Sequence, residues 1–396
     1  MSKVVVAGVG MIPFTKPGTS GTYIEMGAEA ARLALADAGI AYDKVQQAYV
    51  GYVYGDSTAG QAALYPVGMT QIPVINVNNN CSTGSTALYL ARQAVESGAV
   101  ECAIALGFEQ MSPGALDAVF NDRPAPLGRA LALTAELNPE AAAAGIPMAL
   151  LQFGGAGKEH MEKYGTKMET FAKIRAKASR HAANNPLALF RKVVSEADVM
   201  AEKVMWPGVM TRLMACPPTC GAAAAIICSE DFAKRHGLKT DVRILAQSMT
   251  TDSPKLYDAR SMIEVVGFDM AQTAARQVYE KAGVSPSDIQ VVELHDCFAH
   301  NELLTYESLG LCPVGGAEKF VEDGDNTYGG KFVTNPSGGL LSKGHPLGAT
   351  GLAQCYELTR QLRGTAGSTQ VDGAKLALQQ NLGLGGACVV TLYGRA

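Results

Sequence analysis

Hydrophobic and polar positions follow two interleaved registers along the chain. Short β-branched runs, Lys3 to Val6, Gln47 to Val53 and Val74 to Val77, alternate with alanine-rich stretches of helical spacing, Ile24 to Ala38 and Ser82 to Glu96. This order predicts βα units with mainly parallel strand pairing. The pattern also recurs at long range. Ala30-Ala31-Arg32 and the helix-stop Gly39 return as Ala274-Ala275-Arg276 and Gly283, displaced by 244 residues, and Val45-Gln46 returns as Ile289-Gln290. A second pair of segments aligns at a displacement of 264, where Gly84, Thr86 and Leu88 match Gly348, Thr350 and Leu352. Two halves of like topology follow, and the second alignment superposes Cys81 on His345, each just ahead of an equivalent helix. Between the halves, Ser112 to Met210 is poor in strand pattern and predicts an inserted helical region, with helices over Ala141 to Leu151 and Lys167 to His181. Lys173, Arg175, Lys177 and Arg180 on the second of these predict a solvated basic face.

Composition narrows the class. With 47% apolar and 18% charged residues, the 396-residue chain is rich enough in core-forming side chains to exclude disorder. A net charge of −4 without a basic block argues against nucleic acid or an anionic membrane as partner. No apolar run reaches the length of a membrane span. Nine scattered cysteines do not read as a disulfide framework, and Met1-Ser2-Lys3 runs straight into strand-like valines with no signal peptide. The C-terminal Tyr393-Gly394-Arg395-Ala396 matches no peroxisomal address. A cytoplasmic location is the expectation.

Four motifs carry chemistry. In Val74-Ile75-Asn76-Val77-Asn78-Asn79-Asn80-Cys81-Ser82-Thr83-Gly84-Ser85, a strand and polar turn deliver a cysteine to a helix mouth, where the dipole favours thiolate over thiol. His295-Asp296-Cys297-Phe298 follows the apolar run Ile289 to Leu294, at a strand's carboxyl end, and pairs an imidazole with a thiol suited to proton transfer. It lacks regularly spaced partners for zinc, so no metal site is expected, and His300 is assigned to the helix surface. Gly344-His345-Pro346 fixes a histidine between two residues of restricted backbone, as a base requires. Asn381-Leu382-Gly383-Leu384-Gly385-Gly386 offers glycine amides for an oxyanion cradle. Other signals are discounted. Gly8-Val9-Gly10 is followed by Pro13 where a dinucleotide fingerprint needs glycine, Cys216 and Cys220 have the wrong spacing for a zinc knuckle and read as packing, and Cys102, Cys355 and Cys388 read as core.

Taken in order, Asn-Asn-Asn-Cys81-Ser-Thr-Gly-Ser, His295-Asp-Cys-Phe, Gly-His345-Pro and Asn381-Leu-Gly-Leu-Gly-Gly resemble the thiolases of the sterol-carrier-protein-2 type over essentially the whole chain. The resemblance implies an α/β thiolase fold: two duplicated βαβαβαββ halves in a five-layered αβαβα core plus an inserted helical loop domain. The expected domains are residues 1–111 with 211–255, an inserted substrate-covering region 112–210, and a C-terminal half 256–396.

The resemblance also implies roles. Cys81 is the nucleophile that takes the acyl group from a 3-ketoacyl-CoA, and His345 withdraws its proton. His345 and His295, the latter through a water, hold the enolate oxygen, while the amides of Cys81 and Gly383 hold the thioester oxygen. Most thiolases carry a second catalytic cysteine where this chain has Asn381, and Cys297 is the replacement the subfamily supplies; Cys388 lies too far along the last strand. Gly267 and Asp269 are candidates for the pantetheine edge. No bound cofactor or metal is implied, coenzyme A being a substrate, and the partners are acyl-CoA, CoA and a second copy of the chain, as a homodimer or dimer of dimers. The alternatives are a thiolase-like carbon–carbon lyase of the lipid-transfer group and a non-catalytic acyl-CoA-binding subunit. Intact Cys81, Cys297 and His345 argue against both, and a C-terminal lipid-carrier domain is not expected.

Overall fold

The computed structural model describes residues 3–113 and 120–396. Residues 1–2, on which the signal-peptide reading rests, and 114–119 of the expected insertion lie outside the described residues. Ten strands form the core in two mirrored sets of five. From one edge the order is Val74–Val77, Gln47–Gly51, Cys102–Glu109, Gly221–Ser229 and Val4–Met11. From the other it is Val333–Thr334, Val291–Glu293, Leu376–Gly383, Ala387–Arg395 and Val242–Thr250. The sets meet at a single antiparallel pairing, Val5 with Arg243. Val242–Thr250, expected with the first half, pairs along its length with Ala387–Arg395 and belongs to the second set.

Helices supply the remaining layers. Tyr23–Ala38 covers the outer face of the first sheet, Phe268–Ala282 that of the second, and Thr83–Glu96 and Thr350–Arg363 pack against each other between them. The near-continuous apolar runs of the core strands suit this sandwich, since layers cover both faces of the strands. Val5 and Ala7 face the outer helix whereas Val4 and Val6 face the central layer. The repeated stops Gly39 and Gly283 both end their helices in the left-handed conformation, at φ 75° and 67°. Gly8 and Gly10 lie within the first strand, where a Cβ would sit 2.4 Å from the Tyr23–Ala38 backbone, so they serve close helix–strand packing. The duplicated Gly84 and Gly348 meet at the centre: a Cβ on Gly84 would lie 2.7 Å from the Gly348 carbonyl oxygen.

The segment expected as an insertion holds helices Gly128–Leu137, Pro139–Ala143, Met148–Tyr164, Met168–Ala182 and Glu196–Ala201, and a small hairpin of Val204–Trp206 with Met210–Thr211. The predicted helix over Ala141 to Leu151 is broken, because Gly145 is left-handed (φ 72°) and Pro147 offers no amide to continue it. The basic helix is not a solvated face. Lys177 is buried in an ion pair with Glu302 and bonds Thr334 Oγ1 at 2.6 Å, while buried Arg175 donates to Ser342 Oγ at 2.8 Å. Lys173 pairs loosely with Glu322 and Arg180 alone of the four is exposed. The cations bind the segment to the second half. His300 is likewise buried, its Nε2 donating to the Val209 carbonyl at 2.9 Å and its ring 4.1 Å from that of Phe171.

Candidate active site

The first strand-to-helix turn is built to present Cys81. Asn80 adopts φ 50°, a conformation asparagine tolerates, and its side chain donates to the Leu384 carbonyl at 3.1 Å, tying the turn to the glycine-rich loop. The Asn79 amide donates to Thr83 Oγ1 at 2.8 Å and Ser82 Oγ to the Asn79 carbonyl at 2.9 Å. Gly383 abuts this turn so closely that a Cβ there would lie 2.2 Å from the Asn79 carbonyl oxygen. The helix mouth does not make Cys81 a resting thiolate. Burial, reinforced by the Glu109 carboxylate, pushes its thiol up to about 12 and outweighs the dipole.

Cys81, His295 and His345 converge, with the Cys81 sulfur and a ring nitrogen of each histidine all within 4.8 Å of one another. The two rings meet edge to face at 5.0 Å between centroids. Burial holds His345 at about 3, so its ring is neutral. Its tautomer follows from its neighbour. Thr350 Oγ1 gives its proton to the Pro346 carbonyl at 2.9 Å, so the 2.7 Å contact to His345 Nδ1 must be a donation from Nδ1–H. Nε2 is therefore a bare lone pair, and among the described residues it is buried without a hydrogen-bond partner. A neutral thiol beside such a nitrogen is the arrangement for proton transfer on attack.

His295 is also neutral, held well below its ordinary value by burial and then by His345. Its neighbour Asp296 is buried and anchors the loop by accepting the Leu340 and Leu341 amides at 2.7 and 3.2 Å. Cys297 is buried, and burial together with Cys216, Cys81 and Asp296 raises its thiol well above the ordinary value. It is a proton donor at rest. Cys388 is buried in the last strand and accepts from Gln380 Nε2 at 3.8 Å; Cys102 and Cys355 are buried too.

Cys216, read from the sequence as packing, does pack half-buried against the core, and it also borders the site. Its amide donates to the Cys297 carbonyl at 2.9 Å, and two residues on, Pro218 bridges to His345, whose amide donates to Thr219 Oγ1 at 3.1 Å. No local spacing marks it, since its partners lie far along the chain. Glu109 was also missed: its buried carboxylate accepts from Val53, Tyr54 and Gly348 amides at 3.1, 2.9 and 2.9 Å. Gly267 lines a cleft with Leu127, Asp252, Met270 and Leu382 to Gly386. Asp269 lies just beyond, bonded by Ser253 Oγ at 2.8 Å and Lys255 Nζ at 3.4 Å.

The comparisons agree with this architecture. Residues 4–195 match the model of the thiolase N-terminal domain, and residues 252–393 that of the thiolase C-terminal domain-like family. Sterol carrier protein 2 of Oryctolagus cuniculus is 57% identical over 397 residues, covering 99% of this chain and 72% of that protein. Among solved structures, an "Ltp2-ChsH2(DUF35) aldolase" superposes with TM-score 0.83 at 22% identity, covering 99% of this chain and 98% of that one. Human mitochondrial 3-ketoacyl-CoA thiolase superposes with TM-score 0.74 at 20% identity, covering 100% and 99%. Among the described residues, no helix is long and apolar enough to cross a membrane.

Proposed function

The chain belongs to the thiolase superfamily, of the sterol-carrier-protein-2 type, and on that footing we propose that it is an acyltransferase cleaving 3-ketoacyl-CoA with CoA. The observation that carries this reading is the convergence of the buried Cys81 sulfur with a ring nitrogen of His345 and one of His295 within 4.8 Å, His345 Nε2 having no hydrogen-bond partner among the described residues.

As the substrate's 3-carbonyl approaches, the Cys81 proton passes to His345 Nε2 and the sulfur bonds to C3. The C2–C3 bond then breaks. Charge moves to the thioester oxygen of the departing acetyl-CoA enolate, held by His295 and by the now protonated His345, and Cys297 Sγ–H protonates C2. Acetyl-CoA leaves, with the shortened acyl group on Cys81. The Cys297 thiolate takes the proton of incoming CoA, whose sulfur attacks the acyl carbonyl near the Cys81 and Gly383 amides. Cys81 departs and recovers its proton from His345, so the cycle closes without a metal or bound cofactor and its kinetics are ping-pong. Run backwards, the same groups perform Claisen condensation. A homodimer is the proposed assembly.

The test is CoA-dependent loss of 3-ketoacyl-CoA absorbance across short, long, branched and sterol side-chain substrates. Cleavage of any member supports thiolysis and ranks the acyl groups. Folded protein that leaves every substrate intact, while acting on 3-hydroxyacyl-CoA analogues, overturns it in favour of the lyase reading.

A further inference from the structure

A ring nitrogen of His295 lies within 4.8 Å of the Cys81 sulfur, and what the imidazole can do there depends on which of its two nitrogens carries the proton. The answer lies in a line of side chains behind it. Asn381 Nδ2 contacts two groups, the Cys81 carbonyl oxygen at 3.1 Å and His295 Nδ1 at 3.0 Å. A carbonyl oxygen only accepts, so this end of the side chain is the NH2 group. Its other end agrees, since Asn381 Oδ1 receives the Ser85 hydroxyl proton at 2.8 Å. Ser85 Oγ in turn accepts from Gln379 Nε2 at 2.8 Å, and the same amide nitrogen donates to the Gly351 carbonyl at 2.7 Å. Gln379 Oε1 accepts from the Tyr393 hydroxyl. Tyr393, Gln379, Ser85, Asn381 and His295 are all buried.

The two backbone carbonyls leave the amides no freedom to turn over, so each bond in the line has one direction. We propose that Asn381, held by Ser85, Gln379 and Tyr393, is a positioning residue that fixes His295 as the Nε2–H tautomer, making it a permanent hydrogen-bond donor and never a base. Nδ1 must accept from Asn381, and a neutral ring then carries its proton on Nε2. His345 is set the opposite way by Thr350. Two neutral imidazoles with their rings 5.0 Å apart are thereby given complementary work, a lone pair for the thiol and an N–H for the developing oxyanion. The same tautomer removes His295 from any metal-ligand set with Cys81 and His345, because ligation requires a free ring nitrogen. The mechanistic consequence rests on the thiolase reading; the tautomer does not.

The chain has six histidines, so 15N-histidine labelling, with His295→Gln to assign the resonances, reads each tautomer directly. The expected spectrum has His295 protonated at Nε2 and bare at Nδ1, with His345 reversed. A bare Nε2 on His295 in the wild-type protein overturns the proposal, whether or not 3-ketoacyl-CoA is cleaved. In Asn381→Asp the carboxylate accepts from the ring, and Nδ1 becomes protonated; an Nδ1 that stays bare there removes Asn381 from the role. Asn381→Ala is expected to slow carbon–carbon cleavage by about 100-fold, the scale of one lost oxyanion donor. Should neither variant fold, the wild-type spectrum still decides. A protein that shows the expected tautomers but cleaves no ketoacyl-CoA keeps the positioning claim and loses the function.

Discussion

The Gly348 amide donates to the buried Glu109 carboxylate at 2.9 Å, joining the end of a first-half strand to the loop that carries His345. Glu109 also receives the Val53 and Tyr54 amides, so one side chain closes three backbone donors beneath the nucleophile. Burial nonetheless raises the carboxyl from 4.5 to about 7. The fold therefore binds this proton more tightly than the unfolded chain does, and the group's contribution to stability falls as pH rises from 4.5 to about 7. In Glu109→Gln that pH dependence should disappear. An amide NH2 facing one of the three donors should also cost about 1–3 kcal/mol in denaturant unfolding. An unchanged pH slope in the variant would remove Glu109 as its source.

Cys81 is expected to behave as a protonated thiol. With its value pushed up to about 12, alkylation by iodoacetamide should climb about tenfold per pH unit from 7 to 10, with no plateau. Removing the Glu109 charge should accelerate alkylation at any given pH in that range. A plateau near neutrality would mean that the helix mouth, rather than burial, governs the thiol.

Cys297 and Cys388 separate the two candidates for the second thiol. Cys297→Ala should still acylate at Cys81 from a simple acyl-CoA, but lose carbon–carbon chemistry by about 100-fold or more. Cys388→Ala should retain near wild-type turnover, since its sulfur is confined to the last strand beside Gln380. Single-turnover mass spectrometry with steady-state thiolysis checks both, and normal thiolysis by Cys297→Ala would eliminate it as the proton carrier.

Gly383→Ala should cripple activity through geometry. The added methyl would lie 2.2 Å from the Asn79 carbonyl and 2.8 Å from Ser82 Oγ, so the nucleophile turn must move. A displacement of about 1 Å is worth roughly 100-fold in rate. Wild-type turnover would show that the turn can yield without moving Cys81.

Lys177→Met should destabilise the protein by about 3–5 kcal/mol, because it strands the Glu302 carboxylate in the interior. Guanidinium unfolding measures it. A loss below about 1 kcal/mol would mean that water reaches the pair.

Much was legible in the sequence because it is recorded locally. Short β-branched runs and helical spacing mark the strands and helices, and the duplicated glycines identify the two halves, since backbone conformation and local burial act over a few residues. Cys81, His295, Cys297 and His345 could be named because each sits in a short motif with restricted backbone. What those groups do at rest was decided only by folding. The helix mouth by itself favours a thiolate at Cys81, while the low-dielectric interior and Glu109 keep it a thiol. Lys177 and His300 looked like surface residues until helices from two parts of the chain closed over them. Cys216 reached the site, and Asn381 came to bond a histidine 86 residues away, through contacts that leave no local pattern. Protonation state, tautomer and pairing depend on which polar groups share a water-free space, and tertiary structure alone sets that.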